Sequence, residues 1–255
     1  MKNRLSLAGL LVVVCTAAQA QRSIVIPGTE GARAPRPVSI HSLNGSITVK
    51  THAGKDVIVE TGESRDSRDA RDASGMRRID PPRGLAIDQE GDAIKIDSGN
   101  RSLTVTVPAQ TSLTLKALNG PITVEGVQGE IDVDSHQARI QLTNVSGTVV
   151  AHTLNAAIQV SMDRVAQDKP MAFSTLNGSI DVALPADVKA RVKFDTLNGS
   201  VFSDFDIVLA PGAQIGMGSS HGRLRSGRGL EGSVNGGGVP ITFYTLNGSI
   251  HLRKK

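Results

Sequence analysis

Apolar and polar residues alternate with a period of two along most of this chain, and the parity of that alternation switches at one recurring six-residue signature. Before the signature the apolar residues share one parity, as at Leu113, Leu115 and Ala117. After it they take the other, as at Ile122 and Val124. The full form Thr-Leu-Asn-Gly-Ser-Ile occupies 175–180 and 245–250. Variants occupy 42–47 (SLNGSI), 117–122 (ALNGPI), 153–158 (TLNAAI) and 196–201 (TLNGSV). A period of two predicts strands, and a one-residue change of parity would turn a buried face outward unless the chain bends there. The signature therefore reads as a corner between strands, built from Leu43-Asn44-Gly45, Leu118-Asn119-Gly120, Leu154-Asn155, Leu176-Asn177-Gly178, Leu197-Asn198-Gly199 and Leu246-Asn247-Gly248. Asn and Gly are expected to supply positive φ angles there, and Leu to tuck inward as the corner's own core residue. Asn-Gly also closes two-residue antiparallel hairpins. The parity switch favours the corner.

Spacing extends this to an architecture. Small residues at Gly120, Gly129, Ala138, Gly147 and Ala156 fall at a constant interval, each followed two positions later by a β-branched residue: Ile122, Ile131, Ile140, Val149 and Ile158. Alternate steps resemble each other, so the reading is a coil of about 18 residues with two strands per turn, stretching to about 21 later in the chain. The repeating unit is strand, Pro-Ala turn (108–109, 185–186), strand, corner, strand. The expected fold is all-β, a parallel β-solenoid with Leu-Asn-Gly corners. Ile24 to Ile26 would cap one end, and the charged ending 251–255 would discourage stacking at the open one.

Two stretches lie outside the rhythm. Residues 62–84 alternate Arg and Asp with almost no apolar side chains and end on Pro81-Pro82, which reads as a charged loop inserted in a single domain of 21–255. Asp66, Asp69 and Asp72 could be taken for calcium ligands, but Arg65, Arg68 and Arg71 are placed to neutralise them. Residues 203–238 are dense in glycine and lack the Gly-Lys-Ser/Thr ending of a phosphate-binding loop. Residues 1–20 read as a signal peptide: Lys2 and Arg4, an apolar run, then Ala18-Gln19-Ala20, with cleavage leaving Gln21 first. The apolar run is shorter than the ~20 residues that span a bilayer, and no later segment is long and apolar enough to do so. Cleavage would remove Cys15, the single cysteine, whose preceding Val14 does not suit lipoprotein processing.

Composition changes this picture little. The formal net charge is +4, of which Lys2 and Arg4 belong to the leader, and it points to no nucleic-acid partner. Five Phe, one Tyr and no Trp leave little for a base- or sugar-stacking groove.

Candidate chemistry is sparse. The six histidines (His41, His52, His136, His152, His221, His251) show no zinc-ligand spacing, so no metal or cofactor is expected. Asp132, Asp134 and His136 share one strand face, which reads as solvated. Asp181, Asp195, Asp204 and Asp206 would be the acids of a polysaccharide-cleaving β-helix, an alternative that requires them to converge across coils. Sequons occur at Asn44, Asn100, Asn144, Asn177, Asn198 and Asn247. Four coincide with the corner signature and are read as turn chemistry.

The repeated Leu-Asn-Gly-Ser-Ile corners, the GGGVPITFYTLNGSI ending at 236–250 and the leader resemble the bacterial putative-adhesin family of β-strand-repeat proteins, a cell-envelope domain of unknown function. The resemblance covers roughly Val38 to the C-terminus. It implies a β-solenoid or stacked-sheet fold, an envelope location and no catalytic residues. The expected role is an exported, non-enzymatic structural or adhesion module of the periplasm or cell surface, with an envelope component as partner. An envelope-stress sensing role is the other alternative.

Overall fold

The computed structural model describes residues 22–28, 35–62, 85–210 and 229–255. The leader with Ala18, Ala20 and Gln21, the insertion beyond Gly62 with Asp66, Asp69 and Asp72, and 211–228 of the glycine-dense stretch lie outside the described residues.

The described chain is all strand and turn, in one 20-stranded sheet without helix. In order it forms β1 (Arg22–Ile26), β2 (Arg36–Asn44), β3 (Ile47–His52), β4 (Val57–Thr61), β5 (Ala86–Glu90), β6 (Ala93–Asp97) and β7 (Leu103–Pro108). Next come β8 (Thr111–Asn119), β9 (Ile122–Glu125), β10 (Gln128–Ser135), β11 (Ile140–Thr153), β12 (Ile158–Val165), β13 (Met171–Asn177) and β14 (Ile180–Leu184). The last are β15 (Ala190–Asn198), β16 (Val201–Ser203), β17 (Ile207–Leu209), β18 (Leu230–Val234), β19 (Val239–Asn247) and β20 (Ile250–Lys254).

The strands flanking each signature do not pair with each other. β2 pairs in parallel with β6 and β8, for example, and β3 with β7 and β9. Every strand before a signature thus stacks on other such strands, and every strand after one does likewise. The result is eight rungs, in spatial order 93–108, 36–52, 111–125, 128–143, 148–165, 171–184, 239–254 and 190–203. β11 serves two rungs, closing the fourth and opening the fifth. Among the described residues, antiparallel pairing is confined to the two ends. β5 covers β6, and β4 and β1 cover β7; at the far end β18 and β17 cover β15.

Rung order departs from sequence order at both ends. Rung 93–108 follows 36–52 in the chain yet lies outside it, and 239–254 slots between 171–184 and 190–203. The charged ending 251–255 therefore belongs to a strand with neighbours on both sides, β14 and β16, and not to an open end. The reason is that hydrophobic matching favours this inner slot: Phe243 stacks between Phe173 and Phe194, at centroid distances of 5.4 and 5.0 Å.

One core runs through the stack. Alternating residues before the junctions (Ile40, Leu115, Val133, Phe173, Phe243, Phe194) and after them (Ile47, Ile122, Ile140, Ile180, Ile250) are fully buried in a single cluster. β-branched side chains suit such stacked positions, because they pack on the rung above and below with little rotamer freedom to lose.

Candidate functional site: the stacked junctions

The junctions lie over one another through the stack. After each, the first strand residue donates its N–H to the carbonyl that precedes the matching strand of the next rung. Leu103 donates to Ser46 (2.8 Å), Ile47 to Pro121 (3.0 Å), Ile122 to Arg139 (2.9 Å) and Ile140 to Ala157 (3.2 Å). Ile158 then donates to Ser179 (3.0 Å), Ile180 to Ser249 (3.0 Å) and Ile250 to Ser200 (2.9 Å), completing all eight rungs. Just before the junction one carbonyl takes two donors: Leu43 and Asn44 share Gly99 O, Leu154 and Asn155 share His136 O, and Leu176 and Asn177 share Leu154 O. Two residues set against one acceptor is the count of a β-bulge, and it is here that parity changes. Thr175 is buried, Leu176 and Asn177 are both exposed, and Ile180 is buried again.

The leucines do not tuck inward. Leu43, Leu118, Leu176 and Leu197 are 56, 42, 37 and 67% exposed, while Leu154 and Leu246 are half-buried. They form an external ridge whose members shelter one another. Leu176, with leucine on both sides, is the least exposed of the four, and Leu197, on the last rung, the most. The inward residue is the first of the signature. Thr153, Thr175, Thr196 and Thr245 are buried, and each hydroxyl donates to a carbonyl of the neighbouring rung: Ala138 O (3.3 Å), Ala156 O (3.0 Å), Gly248 O (3.2 Å) and Gly178 O (3.0 Å). Threonine keeps the parity of the preceding core residues, so the alternation rule itself points it inward. Hydrophobicity alone misassigns the leucine.

Asn and Gly also serve ends other than the expected positive φ. Among the described residues, positive φ outside glycine occurs only at Asn144 and Asn235, and among the glycines of the Leu-Asn-Gly signatures only at Gly120. The asparagines instead form a side-chain ladder on the outer edge. Asn198 Nδ2 donates to Asn247 Oδ1 (2.8 Å), Asn247 to Asn177 (2.6 Å) and Asn177 to Asn155 (2.7 Å). A second run takes Asn119 to Asn44 (2.7 Å) and Asn44 to Asn100 (2.9 Å). Glycine is required by close approach: a Cβ on Gly178 would lie 2.0 Å from Ala156 O, and one on Gly248 2.0 Å from Gly178 O.

Two junctions escape the motif. Register places Ser98-Gly99-Asn100-Arg101-Ser102-Leu103 over 42–47, and Ser135-His136-Gln137-Ala138-Arg139-Ile140 between 117–122 and 153–158. In the first, Gly99 stands in place of Leu and Arg101 in place of Gly, with Asn100 kept on Asn44; in the second, His and Gln replace Leu and Asn. The even spacing of Ala138 and Ile140 was the available signal for the second.

The remaining candidates do not gather. Asp132, Asp134 and His136 are exposed on the outer face, with Asp134 in register between Lys116 and His152. His152 Nδ1 lies 2.6 Å from Ser174 Oγ, and His41 Nδ1 3.4 Å from Asp97. Asp181 pairs with Arg253 (2.8 Å), and Asp204 accepts from the Lys254 N–H (3.3 Å). Asp195 lies beside Tyr244 on the far side of the junction from Asp181. Among the described residues no three His, Cys, Asp or Glu side chains gather to hold a metal ion. An open depression of about 240 Å³ is lined by Asp163, Arg164, Val165, Gln167, Pro185, Asp187 and Val188. A few surface charges pair, as between Lys169 and Glu130, where the carboxylate's hydrogen bond holds the ammonium pKa above its ordinary value. Arg36 is the buried exception. Desolvation lowers its pKa against the pull of Asp92 and Asp56, and its Nε donates to Asp92 O (3.2 Å).

The family profile of Toastrack DUF4097 matches residues 21–211. The chain belongs to the Toastrack DUF4097 family. This agrees with the resemblance carried by the repeated junctions, to a putative-adhesin domain of unknown function, although the matched span ends before the 236–250 motif. No curated protein matches. A crystal structure titled as a putative cell adhesion protein from Clostridium sporogenes ATCC 15579 is similar over 92% of this chain and 100% of that one, at 8% identity and a TM-score of 0.48. A likeness at that level lends nothing to the functional reading. No helix among the described residues of this Toastrack chain is long and apolar enough to cross a membrane.

Proposed function

We propose that this Toastrack chain is an exported, non-enzymatic interaction module of the cell envelope: one β-solenoid domain over 21–255, freed of its leader at Gln21, with the Leu-Asn-Gly signatures as its corners. The observation that carries the reading is the leucine ridge beside the asparagine ladder. Across the four rungs from 148 to 254 it presents identical apolar and amide groups at about 4.8 Å intervals on an outer edge, a linear display instead of a convergent site. Such a display suits an extended or repetitive partner, since exposed apolar rows on a stable domain mark contact surfaces.

The experiment is cosedimentation of the purified mature chain with isolated envelope fragments, beside a Leu176→Ser, Leu197→Ser, Leu246→Ser triple variant. Wild type should pellet with the envelopes and the variant should stay in the supernatant with unchanged circular dichroism. Equal pelleting of the two would remove the ridge from the proposal. Turnover of acidic polysaccharides by the purified chain would replace it with the enzymatic alternative.

A further inference from the structure

Four junctions carry the same local sequence, Leu-Asn-Gly-Ser, at 43–46, 176–179, 197–200 and 246–249. All four asparagines are exposed to water. In such a pair the glycine backbone nitrogen can attack the asparagine Cγ. A C–N bond forms, the bond from Cγ to Nδ2 breaks, and the glycine amide proton leaves with the side-chain nitrogen as ammonia. Water then opens the resulting succinimide to aspartate or isoaspartate. Attack requires the side-chain amide to swing over its own backbone, and the ladder resists that swing to a different degree at each site.

Asn247 is held at both ends, donating to Asn177 Oδ1 (2.6 Å) and accepting from Asn198 Nδ2 (2.8 Å). Asn177 is likewise held, donating to Asn155 (2.7 Å), and its attacking atom is engaged too, because the Gly178 N–H donates to Asn247 O (3.1 Å). Asn44 donates to Asn100 (2.9 Å) and accepts from Asn119 (2.7 Å). Asn198 is held at one end only. It donates to Asn247, and among the described residues nothing donates to its Oδ1, since β18 covers β15 only from Ala190 to Phe194.

We infer that Asn198 is a built-in deamidation site and that the modification travels along the ladder in order, from Asn198 to Asn247 to Asn177. A carboxylate accepts hydrogen bonds and cannot donate them. Once Asn198 becomes acidic, Asn247 Oδ1 loses its donor and faces a second acceptor, so Asn247 becomes the new loose end. Each step adds a negative charge to an edge that was neutral, leaving an age mark on the surface.

The test holds the full chain folded in mildly alkaline buffer and follows each junction by peptide mass spectrometry, with intact-chain fragmentation to show which modifications coexist. The same incubation in urea is the control, where the four identical sequences should react at one rate. In the folded chain Asn198 should react roughly fivefold faster than the doubly held asparagines, as one extra hydrogen bond implies. Modified Asn247 should be found only on chains already modified at Asn198. Asn198→Asp should accelerate Asn247 severalfold and leave Asn44 unchanged. Equal rates in the folded chain, Asn177 or Asn247 reacting first, or no response of Asn247 to Asn198→Asp would each overturn the inference.

Discussion

The four rungs from 148 to 254 and the four from 36 to 143 share one backbone plan and differ in how their side chains stack. In the later set the inner junction position is threonine throughout, and every hydroxyl reaches a neighbouring rung. The outer position is asparagine throughout, in one unbroken ladder. Three of these rungs stack phenylalanine in the core. In the earlier set the inner position is Ser98, Ser42, Ala117 and Ser135; the Ser98 hydroxyl reaches His41 O of the next rung (3.3 Å), while the Ser42 hydroxyl donates to Gly45 O of its own junction (3.3 Å). The amide ladder there stops at Asn119, because Gln137 stands where the next asparagine would be. Backbone register alone is enough to stack rungs. Identical side chains add bonds between rungs, and the later half has them at every junction where the earlier half has them at only some.

The comparison can be broken most sharply in the core. Phe243→Ala removes a ring packed on both faces and should cost about 3–5 kcal/mol, against about 2–4 for Leu115→Ala at the matching position of the earlier half. Urea midpoints with unchanged slopes would measure both. Next in size is the inner hydroxyl. Thr245→Val keeps the shape but strips Gly178 O of a buried donor (3.0 Å), which should cost about 1–3 kcal/mol. Ser42→Ala loses a bond within one junction and should cost less than about 1. Equal costs would mean that inter-rung hydroxyls add nothing particular to the later half.

On the outer edge, Asn247→Ala breaks two ladder bonds and Asn119→Ala one. The expected losses are about 1–2 and about 0.5–1 kcal/mol. The smallest effect concerns the Lys169–Glu130 pair, which ties the fourth rung to the turn after the fifth. Its lysine pKa is raised on folding, so the stabilisation is complete below the ordinary lysine value of 10.5 and is lost as pH rises through the raised one. Lys169→Met should therefore lower the melting temperature slightly at neutral pH, and that deficit should vanish in strongly alkaline solution.

Much of this plan was legible in the residues. Period-two alternation found the strands, and the parity switch located six junctions, because both follow from the two-faced geometry of a strand. What failed was the assignment of individual side chains. Hydrophobicity points Leu176 inside, although Thr175 has the right parity. Asn177 and Gly178 suggested unusual backbone angles, whereas the amide is there to bond its neighbour and the glycine to clear Ala156 O. These causes lie between rungs, and a single strand does not reveal its neighbours. Rung order was hidden for the same reason. Nothing local to 239–254 says that it belongs between 171–184 and 190–203.

That inner placement governs the order in which the molecule can be assembled. β19 supplies the parallel partner for both β13 and β15, which have no direct pairing with each other. Residues 190–203 can therefore dock on β19 only after a segment 49 positions further along the chain has arrived. Closing contacts so distant in sequence is slow, so this end of the chain should remain open to proteases and chaperones well after the middle rungs have settled.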